Sequence, residues 1–282
     1  MAETDAFLQN ENEKYKDYYI RILTCQAGPF KTLIEAISSI LADVNIIFNE
    51  QGMFIYEINR TNSAFVDLKL FSDRFESFVF NKPTDQKGAF SVGIRMDSLQ
   101  KIIKTLGSDN VLVLFVHKDN PEKLGITIEC AEKRTKTTYL LNTITLNFNE
   151  YKDMPDSSYS AIISLSSTYF QKLCRDAYSV GHRIEIKSNK NMLYFSLDED
   201  TINQQTVIEE SADNMHYIVN NEPDEIIVGK YKLKQLVSFT KCTSISQSVK
   251  IFMSTKEIPF QIEYQIGNLG RIKLFIMDEE EE

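Results

Sequence analysis

Residues 92–107, VGIRMDSLQKIIKTLG, and residues 228–241, VGKYKLKQLVSFTK, decide how this chain folds. Each opens on Val-Gly and then enters a run whose apolar residues stand three and four apart. These are Met96, Leu99, Ile102, Ile103 and Leu106 in the first stretch, and Leu233, Leu236 and Val237 in the second. That spacing puts the apolar side chains on one stripe of a helix. About 35 residues further on, each stretch is followed by a strand-like run ending in Ile-Glu, at Ile128-Glu129 and Ile262-Glu263. Upstream, Phe30, Leu33, Ile34, Ile37, Ile40 and Leu41 form a second helical stripe, and Phe170, Leu173, Cys174 and Ala177 match it. The offsets between matching positions are 140, 136 and 134, so the chain reads as one domain duplicated.

Between the helices lie short β-favouring runs bounded by turn residues, among them 45–48, 54–56, 65–68, 111–116, 126–128, 184–186, 249–252, 260–262 and 272–275. The expected class is α+β, strand-dominated, with four amphipathic helices. Pro29 suits a first helical position, Asp97 or Ser98 suits a cap, and Gly107 and Gly181 lie past helix ends. The reading divides the chain into an acidic, disordered extension (1–17), a first domain (18–144), a connector (145–158, TLNFNEYKDMPDSS), a second domain (159–277) and an acidic tail (278–282).

Composition narrows the function. With 31 Lys+Arg against 40 Asp+Glu, the net charge is -9 and the pI about 5.1, which taken whole argues against binding a polyanion. There is no apolar run of membrane-spanning length, and the first residues are polar and acidic, so a membrane or secreted protein is not expected. Cys25, Cys130, Cys174 and Cys242 are far apart and read as reduced, mostly buried thiols; His117, His182 and His216 are equally scattered. Asp198-Glu199-Asp200 reads as a solvated turn. No catalytic or phosphate-loop motif is present, so neither an enzyme nor a cofactor or metal is expected.

The charge is segregated. Across the helical windows 29–41, 95–106, 167–178 and 230–241 there are ten basic and three acidic residues, a net of +7, which leaves -16 on the rest. Lys101 and Lys104 stand three apart, as do Lys172 and Arg175, while Lys234 and Lys241 stand seven apart, so each pair projects from one side of its helix. Any one helix could carry such cations merely to solvate its outer face. Four of them in an acidic protein point to a shared basic surface for backbone phosphates.

At this point the chain resembles the eukaryotic-type DNA sliding clamps, the proliferating cell nuclear antigen family, over residues 18–277. The stretches that carry the resemblance are Leu173-Cys174-Arg175-Asp176 with Val180-Gly181, Phe239-Thr240-Lys241, residues 259–266 (PFQIEYQI) leading to 269–273 (LGRIK), residues 98–104 (SLQKIIK) and the acidic end. The resemblance implies a two-domain clamp fold whose helices line the central channel of a three-chain ring that encircles duplex DNA. It further implies tethering of DNA polymerase, a clamp loader and other replication and repair enzymes, and a nuclear location, or a replication compartment if the protein is viral; a protist or a large DNA virus fits the divergent loops as readily as a plant or animal. Its channel positions fall on Lys31, Lys101, Lys104, Lys172, Arg175, Lys234 and Lys241, with Thr32 and Ser38 where relatives carry further lysines. Contact with DNA is expected to be weak, salt-sensitive and independent of sequence.

The family's partner-peptide groove falls on Ile58, Tyr151, Met154, Pro259, Phe275 and Met277, which accounts for apolar residues in the connector. The resemblance also places Lys190 where the family has a modified lysine. For ring closure, Lys133, Arg134 and Lys136 in the first half and Glu209 and Glu210 in the second are expected to flank a head-to-tail strand pairing. The alternatives are one subunit of a heterotrimeric checkpoint-type clamp and a monomeric polymerase accessory factor.

Overall fold

The computed structural model describes residues 14–81, 88–146, 159–211, 214–221, 224–254 and 258–276. The first half runs β1 (Tyr18–Thr24), α1 (Ala27–Ser38), β2 (Asp43–Asn49), β3 (Gly52–Ile58), β4 (Ala64–Phe71), β5 (Ser77–Phe80), β6 (Phe90–Arg95), α2 (Met96–Ile103), β7 (Val111–His117), β8 (Lys123–Cys130) and β9 (Thr135–Asn142). The second half repeats the order: β10 (Ala161–Ser166), α3 (Ser167–Val180), β11 (Arg183–Asn189), β12 (Met192–Asp198), β13 (Asn203–Glu209), β14 (Met215–Asn220), β15 (Ile227–Lys232), α4 (Leu233–Phe239), a 3-10 turn (Thr240–Ile245), β16 (Ser248–Met253), β17 (Phe260–Ile266) and β18 (Gly270–Ile276). Phe30 and Phe170, matched in the repeat, are both buried, on α1 and α3.

In each half the strands divide into a five-stranded and a four-stranded group. The first half's five form the sheet β5-β1-β7-β8-β9, and the second half's four form β13-β12-β11-β15. The remaining two groups fuse into one nine-stranded sheet, β14-β10-β16-β17-β18-β4-β3-β2-β6, through seven register pairs from Gly270↔Leu70 to Ile276↔Ala64. The seam needs close backbones: a Cβ on Gly270 would drive into the Lys69 carbonyl. Alternation along the strands sends Ile262, Tyr264, Ile266, Ile272 and Leu274 to the helix side, where Tyr264 meets Phe239 edge-on at 5.4 Å.

Several local expectations shift. Helix α1 starts at Ala27, so Pro29 is its third residue; its missing N–H is still one of those with no intrahelical partner. Arg95, not Asp97 or Ser98, occupies the cap position of α2, with no side-chain cap bond. Lys230 and Lys232 lie on β15, because pairing with β11 continues to Arg183↔Lys232 and the helix begins only at Leu233. With Arg95, Lys230 and Lys232 outside the helices, the helical segments, including Lys104 and Lys241 at their ends, carry seven basic and three acidic residues, a net of +4 instead of +7. Residues 14–17, assigned to the extension, pack onto the first domain: the Arg21 guanidinium sits 4.2 Å from the Tyr15 ring, and Asn81 donates to the Tyr15 and Tyr18 carbonyls. Cys174 and Cys242 are buried free thiols, whereas Cys130 is half-buried and Cys25 exposed.

Candidate nucleic-acid interface

The four helices form one layer. Helix α1 packs on α2 and on the 3-10 turn, and α3 packs on α4 and the same turn. Side-chain bonds tie α3 to the 3-10 turn, from Gln171 Nε2 to the Thr240 carbonyl at 2.8 Å and from Thr243 Oγ1 to the Ser167 carbonyl at 3.3 Å. Each helix buries its apolar stripe, Leu33, Ile34 and Ile37 on α1, Leu99 and Ile103 on α2, Phe170 and Cys174 on α3, Leu236 and Phe239 on α4. The opposite faces therefore look outward from the layer.

Lys101, Lys104, Arg175, Lys234 and Lys241 are exposed and join no ion pair among the described residues. They supply cations at spacings a helix sets, Lys101 one turn from Asp97. Two further expected cations differ. The Lys31 ammonium donates to the carbonyls of Lys104 and Leu106, both at 3.0 Å, at the end of α2. Two of its three donors are spent on orphan carbonyls, where a cation also meets the negative end of the helix dipole. Lys31 thus serves first as a clasp between α1 and α2. Lys172 pairs with Asp176 at 2.8 Å one turn along α3; that hydrogen bond, and then the Asp176 charge, hold its ammonium above the ordinary lysine value. Its field is largely cancelled locally.

On the opposite, outer face of the nine-stranded sheet the expected groove residues converge in part. Ile58 opposes Phe65 and Phe65 opposes Phe275, with the two phenyl rings 5.7 Å apart. Pro259 precedes β17, and its carbonyl lies 3.3 Å from the Tyr159 hydroxyl. Tyr151, Met154 and Met277 lie outside the described residues. Burial pushes the Tyr159 phenol up to about 12, so it remains a neutral hydroxyl at any ordinary pH.

The free sheet edges are informative. Strand β9 is one outer strand of the five-stranded sheet, opposite β5, and β13 is one outer strand of the four-stranded sheet, opposite β15. In the duplicated order, β9 is the counterpart of β18 and β13 of β4, the two strands that pair at the seam. Apolar side chains stand exposed along them, Leu140 at 58% and Val207 at 44%, with Ile202 at 53% beside β13. Of the expected interface charges, Lys133 and Glu209 are exposed without a partner among the described residues, and Arg134 sits in a left-handed turn (φ 49°). Lys136 is already paired with Glu129 at 2.9 Å, and Glu210 accepts the Tyr217 N–H. Sequence reasoning stressed the charges and passed over Leu140 and Val207, because only the strand order reveals which apolar residues are left at an edge. Lys190 is exposed in a left-handed turn (φ 56°) between β11 and β12, its carbonyl held by Asn220.

Duplicated halves joined edge to edge, free edges that copy the joint, and a single helix layer bearing unpaired cations make up a duplicated clamp fold. Comparison with known proteins agrees. A family model described as the N-terminal domain of proliferating cell nuclear antigen matches residues 21–152, and the C-terminal domain model matches residues 153–279. The chain is 27% identical over 90% of its length, and 95% of the other protein, to the “Probable DNA polymerase sliding clamp 1” of Paramecium bursaria Chlorella virus 1. It is 26% identical over 89% of its length, and 95% of the other, to proliferating cell nuclear antigen of Dictyostelium discoideum. A crystal structure of proliferating cellular nuclear antigen from Entamoeba histolytica shares the fold, with a TM-score of 0.80 and 21% identity over 93% of this chain and all of that one. The chain belongs to the proliferating cell nuclear antigen family of DNA sliding clamps.

Proposed function

We propose that three copies of this chain close head to tail, β9 of one pairing with β13 of the next, into a ring that encircles duplex DNA. The observation that carries this reading is that β9 and β13 correspond strand for strand to the β18–β4 joint within the chain. The same edge geometry, repeated between chains, buries Leu140 and Val207 and satisfies two open ladders. The helix layer then faces the hole. Lys101, Lys104, Arg175, Lys234 and Lys241 meet phosphates without reading bases, and retention comes from topology.

The outer face around Ile58, Phe65, Phe275 and Pro259 serves as the groove that tethers DNA polymerase, the clamp loader and other replication and repair enzymes through short amphipathic segments. Lys190 presents its amine for modification away from both surfaces. The site of action is the nucleus, or a viral replication compartment.

Light scattering tests closure: the expected mass is three times the 32.5 kDa chain. Reversing Lys133, Arg134 and Lys136 to Glu should lower it, and Val207→Glu should lower it further. A monomer mass for the unaltered protein refutes the ring and leaves a one-faced accessory factor; a ring formed only with other chains identifies a heterotrimeric clamp. Loader-dependent retention on circular DNA, with loss from linear DNA, tests encirclement.

A further inference from the structure

Read in register across the outer face of the nine-stranded sheet, Ile58, Phe65, Phe275, Gln261 and Phe252 form one continuous row. Four of the five are hydrocarbon and the fourth position is a primary amide. Gln261 is 2% exposed, and its Nε2 has no hydrogen-bond partner among the described residues. Among the described residues the amide oxygen receives the Tyr159 hydroxyl alone, at 3.3 Å, a hydroxyl equally distant from the Pro259 carbonyl and carrying a single proton to share between them. Turning the amide over would exchange which of its atoms is bonded and still leave one without a partner. A buried polar group in this state destabilises the fold, and Met or Leu would fill the same volume without that cost. Its presence on the wall of a groove calls for a ligand that completes it.

We propose that Gln261 is a specificity-determining residue of the peptide groove, its amide taking a phenolic hydroxyl, so that partner segments anchored by tyrosine are preferred over those anchored by phenylalanine. The inference rests on the groove reading above. Three features point to a phenol. The neighbours Phe65, Phe275 and Phe252 offer ring contacts. A hydroxyl both donates and accepts, so it satisfies the amide in either orientation. The chain itself already places a phenol there: Tyr159 meets Phe252 edge-on at 5.3 Å and reaches the amide. Tyr159 takes the amide oxygen and leaves Nε2 as the donor that an incoming hydroxyl accepts.

Calorimetry with two amphipathic peptides differing only in Tyr or Phe at the buried anchor tests this. The unaltered protein is expected to bind the Tyr peptide about tenfold more tightly, the worth of one satisfied buried hydrogen bond. Gln261→Met is expected to bind both within about twofold while its Tm rises by about 2–4 °C at unchanged trimer mass; Gln261→Leu serves as the second variant. Equal binding by the unaltered protein, a preference that survives in both variants, or a fall in Tm on losing the amide would overturn the proposal and leave the groove standing. Failure of either peptide to bind any of the proteins would overturn the groove itself.

Discussion

Lys31→Met separates a clasp from a DNA contact. The substitution keeps the apolar stem of the side chain and removes two charge-assisted bonds, each 3.0 Å long, to the carbonyls of Lys104 and Leu106. Such bonds contribute about 1.5–3 kcal/mol apiece when buried. Here one is exposed and the other part-buried, and the freed carbonyls regain water, so the two together should be worth about 2 kcal/mol, part of it the cation's interaction with the end of α2. At about 2–4 °C per kcal/mol the expected fall in Tm is about 4–8 °C, measured by calorimetry at matched protein concentration because any subunit dissociation is linked to unfolding. Lys101→Met, at an exposed position with no hydrogen bond or ion pair from its side chain among the described residues, should change stability by under about 0.5 kcal/mol. In DNA binding the order reverses: Lys101→Met should reduce the dependence of log K on log salt, and Lys31→Met should reduce it less. An unchanged Tm for Lys31→Met, together with a loss of salt dependence equal to that of Lys101→Met, would refute the clasp and put the ammonium on phosphate.

Three further outcomes are expected. Replacing Lys101, Lys104, Lys234 and Lys241 together by Ala should abolish polymerase stimulation while light scattering still finds the trimer; unaltered stimulation would reject the channel assignment. Gly270→Val should break the β18–β4 seam, since even a Cβ there meets the Lys69 carbonyl; a loss of several kcal/mol in urea unfolding is expected, and a variant within about 1 kcal/mol of the parent would show that the seam yields easily. Burial raises the Cys242 thiol from 9.0 to about 12 and the Tyr159 phenol from 10.0 to about 12. Both groups hold their protons more tightly when folded, so their contribution to stability is complete below about pH 9 and is lost as pH climbs toward 12. The urea midpoint should therefore fall steeply across that window, and a flat profile would contradict the burial of both groups.

Much of the fold was legible in residues 92–107 and 228–241, because amphipathic spacing and a repeated order of elements are local patterns that survive without a partner in view. The seven expected channel cations are the same seven that the helical segments carry. Their states were not legible. Lys31 is spent on carbonyls 73 and 75 residues away, while Lys230 and Lys232 belong to a strand because β11 pairs with them. Long-range partners overrode the local signal in both cases.

The sequence by itself determined the duplication, the four amphipathic stripes and the segregation of charge, since each follows from periodicity over a dozen residues. Only the tertiary structure decided that the halves share one sheet, that β9 and β13 are left as free copies of the joined strands, and that Gln261 lies buried in an aromatic row. Strand order and burial depend on which distant backbones meet, and no window of sequence contains both partners.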